Sequence, residues 1–300
     1  MRLRALLDRL KAGDIVVGDG AWGTLLMARG LKPGEPPESL NLTRSDAIED
    51  IARQYLDAGS EIITTNTFGG SPARLRQYGL DGETEAINRA AVEAARRAAA
   101  DRAYVSASVG PCGHVLAPYG DANPTDVAAG FERQIRALAA AGVDLICIET
   151  MTDLHEATLA VHAARTAAPG VPVMATMTFE QTRRGLFTVM GVSVEQAARG
   201  LTEAGADIVG SNCGNGIEIM IEIARAFRAC TDRPIAIQAN AGMPEQQGTT
   251  LVYRETPDFM AGKAAALLDS GVSLIGGCCG TTPDHIRAIR RVVDRRATRL

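Results

Sequence analysis

Apolar runs of strand length recur along the chain and alternate with Ala-, Arg- and Glu-rich stretches of helical spacing. The runs are residues 14–20 (Asp14-Ile15-Val16-Val17-Gly18-Asp19-Gly20), 61–67, 104–110, 144–149, 171–177, 206–211, 234–240 and 272–277. They are nearly continuous in apolar residues rather than alternating, which predicts parallel strands covered on both faces. Helical spacing is clear from Thr84 to Ala100, Val127 to Ala140, Glu195 to Ala204 and Ile217 to Ala229. Asn123-Pro124-Thr125-Asp126 and Thr281-Thr282-Pro283-Asp284 each place a capping side chain before a first-turn proline and so mark helix starts. An internal echo supports a repeated unit. Ala58-Gly59, Ala141-Gly142, Ala204-Gly205 and Ser270-Gly271 each close a helix with glycine just before a strand opens.

Eight strands alternating with about eight helices in 300 residues predict an α/β fold, a single (β/α)8 TIM barrel formed by residues 1–300. A doubly wound open sheet is the alternative. No Pro/Ser-rich linker divides the chain. Active sites of such barrels lie at the C-terminal ends of the strands. The conspicuous polar and sulfur residues fall there: Asp19, Asn66, Cys112, Glu149, Cys213, Asn240, Cys278 and Cys279.

Composition narrows the classes. With 46% apolar and 22% charged residues the chain can bury an ample core. Its net charge of -4 argues against nucleic acid as a partner. No apolar run reaches the roughly 20 residues of a membrane span, and the basic start Met1–Leu7 lacks a signal peptide's apolar stretch. Six cysteines in so long a chain are no disulfide framework, so a reducing, cytoplasmic setting is expected.

The cysteines carry the candidate chemistry. Cys278 and Cys279 are adjacent, badly placed to bond each other but well placed to grip one soft metal ion with a third thiolate. Cys213, in Ser211-Asn212-Cys213-Gly214-Asn215-Gly216, also ends an apolar run and is the candidate third ligand; Cys112 is its rival. Three thiolates suit zinc, and three protein ligands leave a fourth position for a substrate atom. Cys147 (mid-strand) and Cys230 (helix end) read as packing residues.

These residues match a family. Gly18-Asp19-Gly20-Ala21-Trp22-Gly23-Thr24, Thr65-Asn66-Thr67-Phe68, Ser108-Val109-Gly110-Pro111, Glu149-Thr150, Asn212-Cys213-Gly214, Asn240-Ala241-Gly242-Met243-Pro244 and Gly276-Gly277-Cys278-Cys279-Gly280-Thr281-Thr282-Pro283 occur in order from residue 14 to about 290. In them the chain resembles the homocysteine S-methyltransferase family, zinc-dependent barrels that methylate homocysteine to methionine. The resemblance is strongest to the homocysteine-binding domain of cobalamin-dependent methionine synthase. It implies one zinc per chain on Cys213, Cys278 and Cys279. It also implies that Asp19 and Glu149 hold the amino group of homocysteine and that backbone amides around Gly20 and Ala21 face its carboxylate. Asn66 and Asn240 are further candidates for the substrate site.

The implied reaction is displacement of a methyl group by a thiolate. A free thiol of pKa about 8.5 is mostly protonated at neutral pH, and coordination to zinc removes the proton. An all-thiolate site leaves the attacking sulfur electron-rich, whereas three neutral imidazoles suit activation of water. The expected donor is methylcobalamin or another methylated corrinoid carried by a separate protein or module, unless the chain is an excised domain of something longer. A sulfonium donor (S-methylmethionine or S-adenosylmethionine) and betaine are the alternatives. A betaine cage would draw on Trp22, Phe68 and Tyr119. A metal-free lyase or aldolase would need a lysine or an acid/base pair at strand ends, and no strand ends in lysine. A non-catalytic zinc- or thiol-binding module remains as the reading of another class. His155, Arg183-Arg184 and the basic series Arg287, Arg290, Arg291, Arg295, Arg296 and Arg299 are expected on exposed surfaces. His285, one turn into its helix, is expected to face solvent or the helix packing surface.

Overall fold

The structure, a computed structural model, describes residues 5–32, 34–248 and 250–298. Arg299 and the Met1–Arg4 part of the basic N-terminal stretch lie outside the described residues. All eight expected strands are present: β1 Val16–Val17, β2 Ile62–Thr64, β3 Tyr104–Val109, β4 Leu145–Met151, β5 Val173–Met177, β6 Ile208–Asn212, β7 Ile235–Ala239 and β8 Val272–Gly277. They form one parallel sheet in the order β1-β8-β7-β6-β5-β4-β3-β2. The first strand pairs with the last, Val16 against Leu274 and Val17 against Ile275, so the sheet curls into a barrel rather than a doubly wound open sheet.

The seam between β1 and β2 is closed by few but specific bonds. Glu61 N–H donates to Val17 O at 2.7 Å, and Val17 N–H donates to the Glu61 carboxylate at 3.2 Å. Glu61 also binds Arg9 and Arg290, each at 2.7 Å, so one carboxylate ties the N-terminal helix, the seam and the last helix together. Arg290 is thus half-buried and does not decorate an exposed face, whereas Arg287, Arg291 and Arg295 do.

The barrel lumen is packed at its lower end. Val16, Ile62, Tyr104, Leu145, Cys147, Met174, Ile208, Ala236 and Leu274 meet there, and every barrel strand contributes. Leu6 and Leu10, on the helix Leu6–Lys11, cover this layer from below. A larger apolar layer lies between the outer strand faces and the surrounding helices. The glycine signals hold: Gly59, Gly142, Gly205 and Gly271 all take φ between 84° and 109°, a left-handed conformation that ends each helix at little steric cost. Asn123 caps the helix Pro124–Ala140 by accepting from Thr125 N–H at 2.8 Å.

Two small hairpins, Glu180–Thr182 with Gly185–Phe187 and Glu245–Gln247 with Thr250–Val252, rise from the loops after β5 and β7. Arg183 and Arg184 occupy the turn of the first and are exposed. Among the described residues no helix is long and apolar enough to cross a membrane.

Candidate active site

Cys213 follows the last residue of β6 and Cys278 follows the last of β8, so both reach the barrel mouth on either side of β7. Both loops hang on that strand: Cys213 N–H donates to Gln238 O at 3.1 Å and Cys278 N–H to Ala239 O at 2.8 Å. The sulfurs of Cys213, Cys278 and Cys279 consequently lie within 4.8 Å of one another, with Cys213 and Cys279 3.8 Å apart. Tetrahedral zinc with Zn–S bonds of about 2.3 Å requires S···S edges of roughly 3.8 Å, so donor set and spacing both fit the ion. Hydrogen bonding from Cys278 and then from Cys279 pulls the Cys213 thiol far below the usual thiol range, and the same contacts push Cys278 and Cys279 up. Of the three sulfurs, Cys213 is the one its neighbours hold as a thiolate.

The loop around the pair is tightly constrained. Gly280 has φ +78°, and a Cβ there would lie 2.1 Å from the Tyr253 ring. Tyr253 stands beside the Cys279 sulfur, and burial together with that thiol pushes its phenol up to about 12. Asn240 is buried beside Cys213, and its Oδ1 has no partner.

A cavity of about 380 Å³ runs from the sulfurs to Asp19 and Glu149. Asp19 is 1% exposed. Its Oδ2 accepts from Thr64 N–H at 2.7 Å and Trp22 Nε1–H at 3.0 Å, and its Oδ1 accepts from the Thr64 hydroxyl at 2.8 Å. Burial raises its pKa to about 6 despite these donors. Glu149 accepts a short bond from the Ser108 hydroxyl and one of 3.2 Å from Asn212 Nδ2. Burial, then the charges of Asp19 and Cys213, push it up to about 7. Two carboxylates that are costly to ionise in isolation suit a cationic ligand group, whose charge would repay their burial.

Other expected residues fall as follows. Gly20, Ala21 and Asn66 line the cavity, as do Trp22 and Phe68. The Ala21 amide does not face the cavity as expected: its N–H donates to Thr281 Oγ1 at 3.1 Å, and its carbonyl accepts from Tyr55 at 2.7 Å. The Asn66 Nδ2 protons go to Pro37 O at 2.8 Å and Asn41 Oδ1 at 2.9 Å, which orders the loop. Asn240 sits behind Cys213 and outside the cavity lining. Tyr119 is 86% exposed, so a cage of Trp22, Phe68 and Tyr119 does not assemble. Cys112 lies outside the sulfur cluster, its thiol donating to His114 O at 3.4 Å and pushed by burial up to about 12. His155 is exposed, whereas His285 is buried: Nδ1 accepts from Thr282 N–H at 3.1 Å and Nε2 meets Glu255 O at 2.8 Å. Asn212, Ser108, Thr64 and Tyr253 were not anticipated. The first three adjoin or belong to the quoted motifs, but their partners come from strands distant in sequence, and Tyr253 carries no local signal.

Comparison with known proteins finds relatives over nearly the whole chain. The family model for homocysteine S-methyltransferase matches residues 16–293. The methionine synthases of Mycobacterium leprae (strain TN) and Mycobacterium tuberculosis (strain ATCC 25618 / H37Rv) are each 33% identical, over 97% and 96% of this chain. The chain spans 25% of the length of either. The crystal structure of the homocysteine methyltransferase MmuM from Escherichia coli, metallated form, superposes with a TM-score of 0.79 at 25% identity, covering 96% of this chain and 99% of that one. Its oxidized form gives a TM-score of 0.80 with 96% and 98% covered, again at 25% identity. With its eight-stranded barrel, its three-sulfur cluster and a family match over nearly its whole length, the chain belongs to the homocysteine S-methyltransferase family.

Proposed function

We propose that the chain methylates the thiol of homocysteine to give methionine. The observation that carries this reading is one cavity with two unlike ends, three convergent sulfurs at one and the carboxylates of buried Asp19 and half-buried Glu149 at the other. An amino-acid thiol has matching ends. Its ammonium would sit between Asp19 and Glu149, ionising both and offsetting the cost of their burial. Its sulfur would then point at Cys213, Cys278 and Cys279, which would hold the zinc ion. When bound, zinc supplies the Lewis acidity that lets a thiol lose its proton at neutral pH. The protein's own part is orientation. Ser108 and Asn212 hold Glu149, Thr64 and Trp22 hold Asp19, and β7 hangs the two cysteine loops at a common height. Gly20 lines the same cavity, and its amide would face the substrate carboxylate.

For the donor we infer a methylated corrinoid brought by another module or protein. The support is the similarity to methionine synthases four times longer than the matched segment. The second reading, a sulfonium or ammonium donor free in solution, rests on MmuM, a homocysteine methyltransferase matched over 99% of its own chain. One experiment separates them. Zinc-loaded protein is given homocysteine with methylcobalamin, S-methylmethionine, S-adenosylmethionine or betaine in parallel, and methionine is quantified. Methionine from methylcobalamin alone supports the first reading. Methionine from a sulfonium or betaine alone supports the second, and no binding of homocysteine to the zinc form sinks both.

A further inference from the structure

We propose that Asn212 is a positioning residue that joins the amino-acid end of the cavity to its sulfur end, an inference that rests on the function just proposed. Asn212 is 0% exposed at the last position of β6, immediately before Cys213. Its amide orientation is set by chemistry. Oδ1 lies 2.7 Å from the backbone N–H of Thr150, an obligatory donor, and 2.7 Å from the Thr176 hydroxyl. Nδ2 must therefore face the other way. There it meets Glu149 Oε2 at 3.2 Å, Thr150 Oγ1 at 2.8 Å and Cys278 Sγ at 4.0 Å. Two amide protons serve three acceptors, of which one belongs to the ammonium site and one to the metal cluster.

The backbone around this side chain is itself unusual. Thr150 has φ +61° and Cys213 has φ +59°, and with Ala100 they are the non-glycine residues that take positive φ among the described residues. A β-branched residue in that region persists only where its surroundings over-determine it. Asn212 supplies that constraint at Thr150 from both of its amide atoms, and its carbonyl accepts from the Thr178 hydroxyl at 2.9 Å. Cys213 is the next residue in the chain. The side chain that fixes the loop after β4 thus also fixes where the first thiolate leaves β6, and it shares its protons between Glu149 and Cys278. A ligand ammonium on Glu149 competes for the Glu149 lone pair, which shifts the shared proton toward the Cys278 sulfur. Occupation of one end is thereby felt at the other.

The test uses the zinc-loaded full chain and two readouts that need no turnover: zinc affinity by chelator competition, and homocysteine affinity by calorimetry. Asn212→Ala is expected to weaken zinc by about 10- to 100-fold, the usual cost of losing a partner that orients a metal ligand. Glu149→Gln and Asn212→Ala are each expected to weaken homocysteine, and the double variant is expected to bind it no more than about threefold worse than the poorer single one. Losses that multiply in the double variant would overturn the inference. So would full recovery of both affinities on adding Thr150→Gly to Asn212→Ala, because Asn212 would then only hold a strained backbone. Should Asn212→Ala fail to fold, Asn212→Asp keeps both accepted bonds, removes the donors and is expected to lose zinc affinity in the same direction. A wild-type chain that binds zinc but no homocysteine refutes the acceptor assignment. Unchanged zinc affinity in the Asn212 variants overturns the present inference whichever acceptor binds.

Discussion

Asp19 and Thr64 face each other across the barrel seam that has no strand-to-strand ladder, and the Asp19 carboxylate takes the backbone N–H of Thr64 at 2.7 Å and its hydroxyl at 2.8 Å. A residue expected to bind substrate is therefore also a rivet of the fold. Asp19→Ala is expected to strip partners from the Thr64 amide and the Trp22 indole at once. Leaving buried donors unpaired costs about 1–3 kcal/mol each, so a loss of roughly 3 kcal/mol is expected. Urea denaturation of the metal-free protein at about pH 4, where the folded carboxylate is uncharged and its removal relieves no buried charge, measures it; an unchanged midpoint would place the seam's strength elsewhere.

The raised pKa of Asp19 makes stability fall with pH. Its folded value of about 6 lies above the 3.8 of a solvated aspartate, so the folded state keeps a proton that the unfolded chain releases first. No penalty exists below about pH 4; it grows through the window to pH 6 and is complete above it, at roughly 3 kcal/mol. Relative to Asp19→Asn, the wild type should lose melting temperature between pH 4 and pH 7. A constant difference across that window would show that the carboxylate does not titrate there.

Ligand binding should run the other way. An ammonium between Asp19 and Glu149 favours their ionised forms, so a thiol-free amino acid such as methionine should bind more tightly as pH rises through 6 and 7. Calorimetry at pH 6 in buffers of different ionisation enthalpy should detect protons released by the protein. Uptake of protons on binding would contradict the placement of the ammonium.

Metal analysis of protein purified without chelator should give about one zinc per chain. Cys213→Ala, Cys278→Ala and Cys279→Ala should each lose most of it, whereas Cys112→Ser should retain it, because Cys112 stands outside the cluster. Retention of zinc by the triple alanine variant would remove the basis of the proposed chemistry.

Gly20 is packed rather than merely flexible. A Cβ there would lie 2.6 Å from Thr281 Oγ1 and 3.0 Å from the Tyr55 hydroxyl, both buried and hydrogen-bonded into the fold. Gly20→Ala should cost about 1–3 kcal/mol of stability, as overpacking does. It should also weaken homocysteine binding, read by thermal melting with and without ligand.

Much of this architecture is legible in the chain because barrel strands announce themselves by burial on both faces and helix ends by glycine. The eight strands fall where their apolar runs predict, and Cys213, Cys278 and Cys279 meet as the strand-end argument requires. Polar contacts are the part that sequence patterns do not reach. The Ala21 amide turns to Thr281, 260 positions away, and Asn212 reaches Glu149 across 63. Such pairings depend on which strands stand side by side and on small rotations of a loop, neither of which leaves a local periodicity. His285 follows the same rule, since its place is set by Glu255, on a different loop. The two hairpins leave no such signal because their strands are three residues each, too short to show an alternation.

The packed lower lumen has a kinetic consequence. With Leu6 and Leu10 seated under a layer drawn from every strand, the cavity is blind at that end and reached from the strand-end rim. On the proposed function, a bulky methyl carrier would approach from the rim and would cover the mouth that leads to Asp19, Glu149 and the sulfurs. The acceptor would then enter first, and its methylated product would leave only after the donor had gone. Steady-state kinetics should be sequential and ordered, with methionine competing against homocysteine but not against the donor.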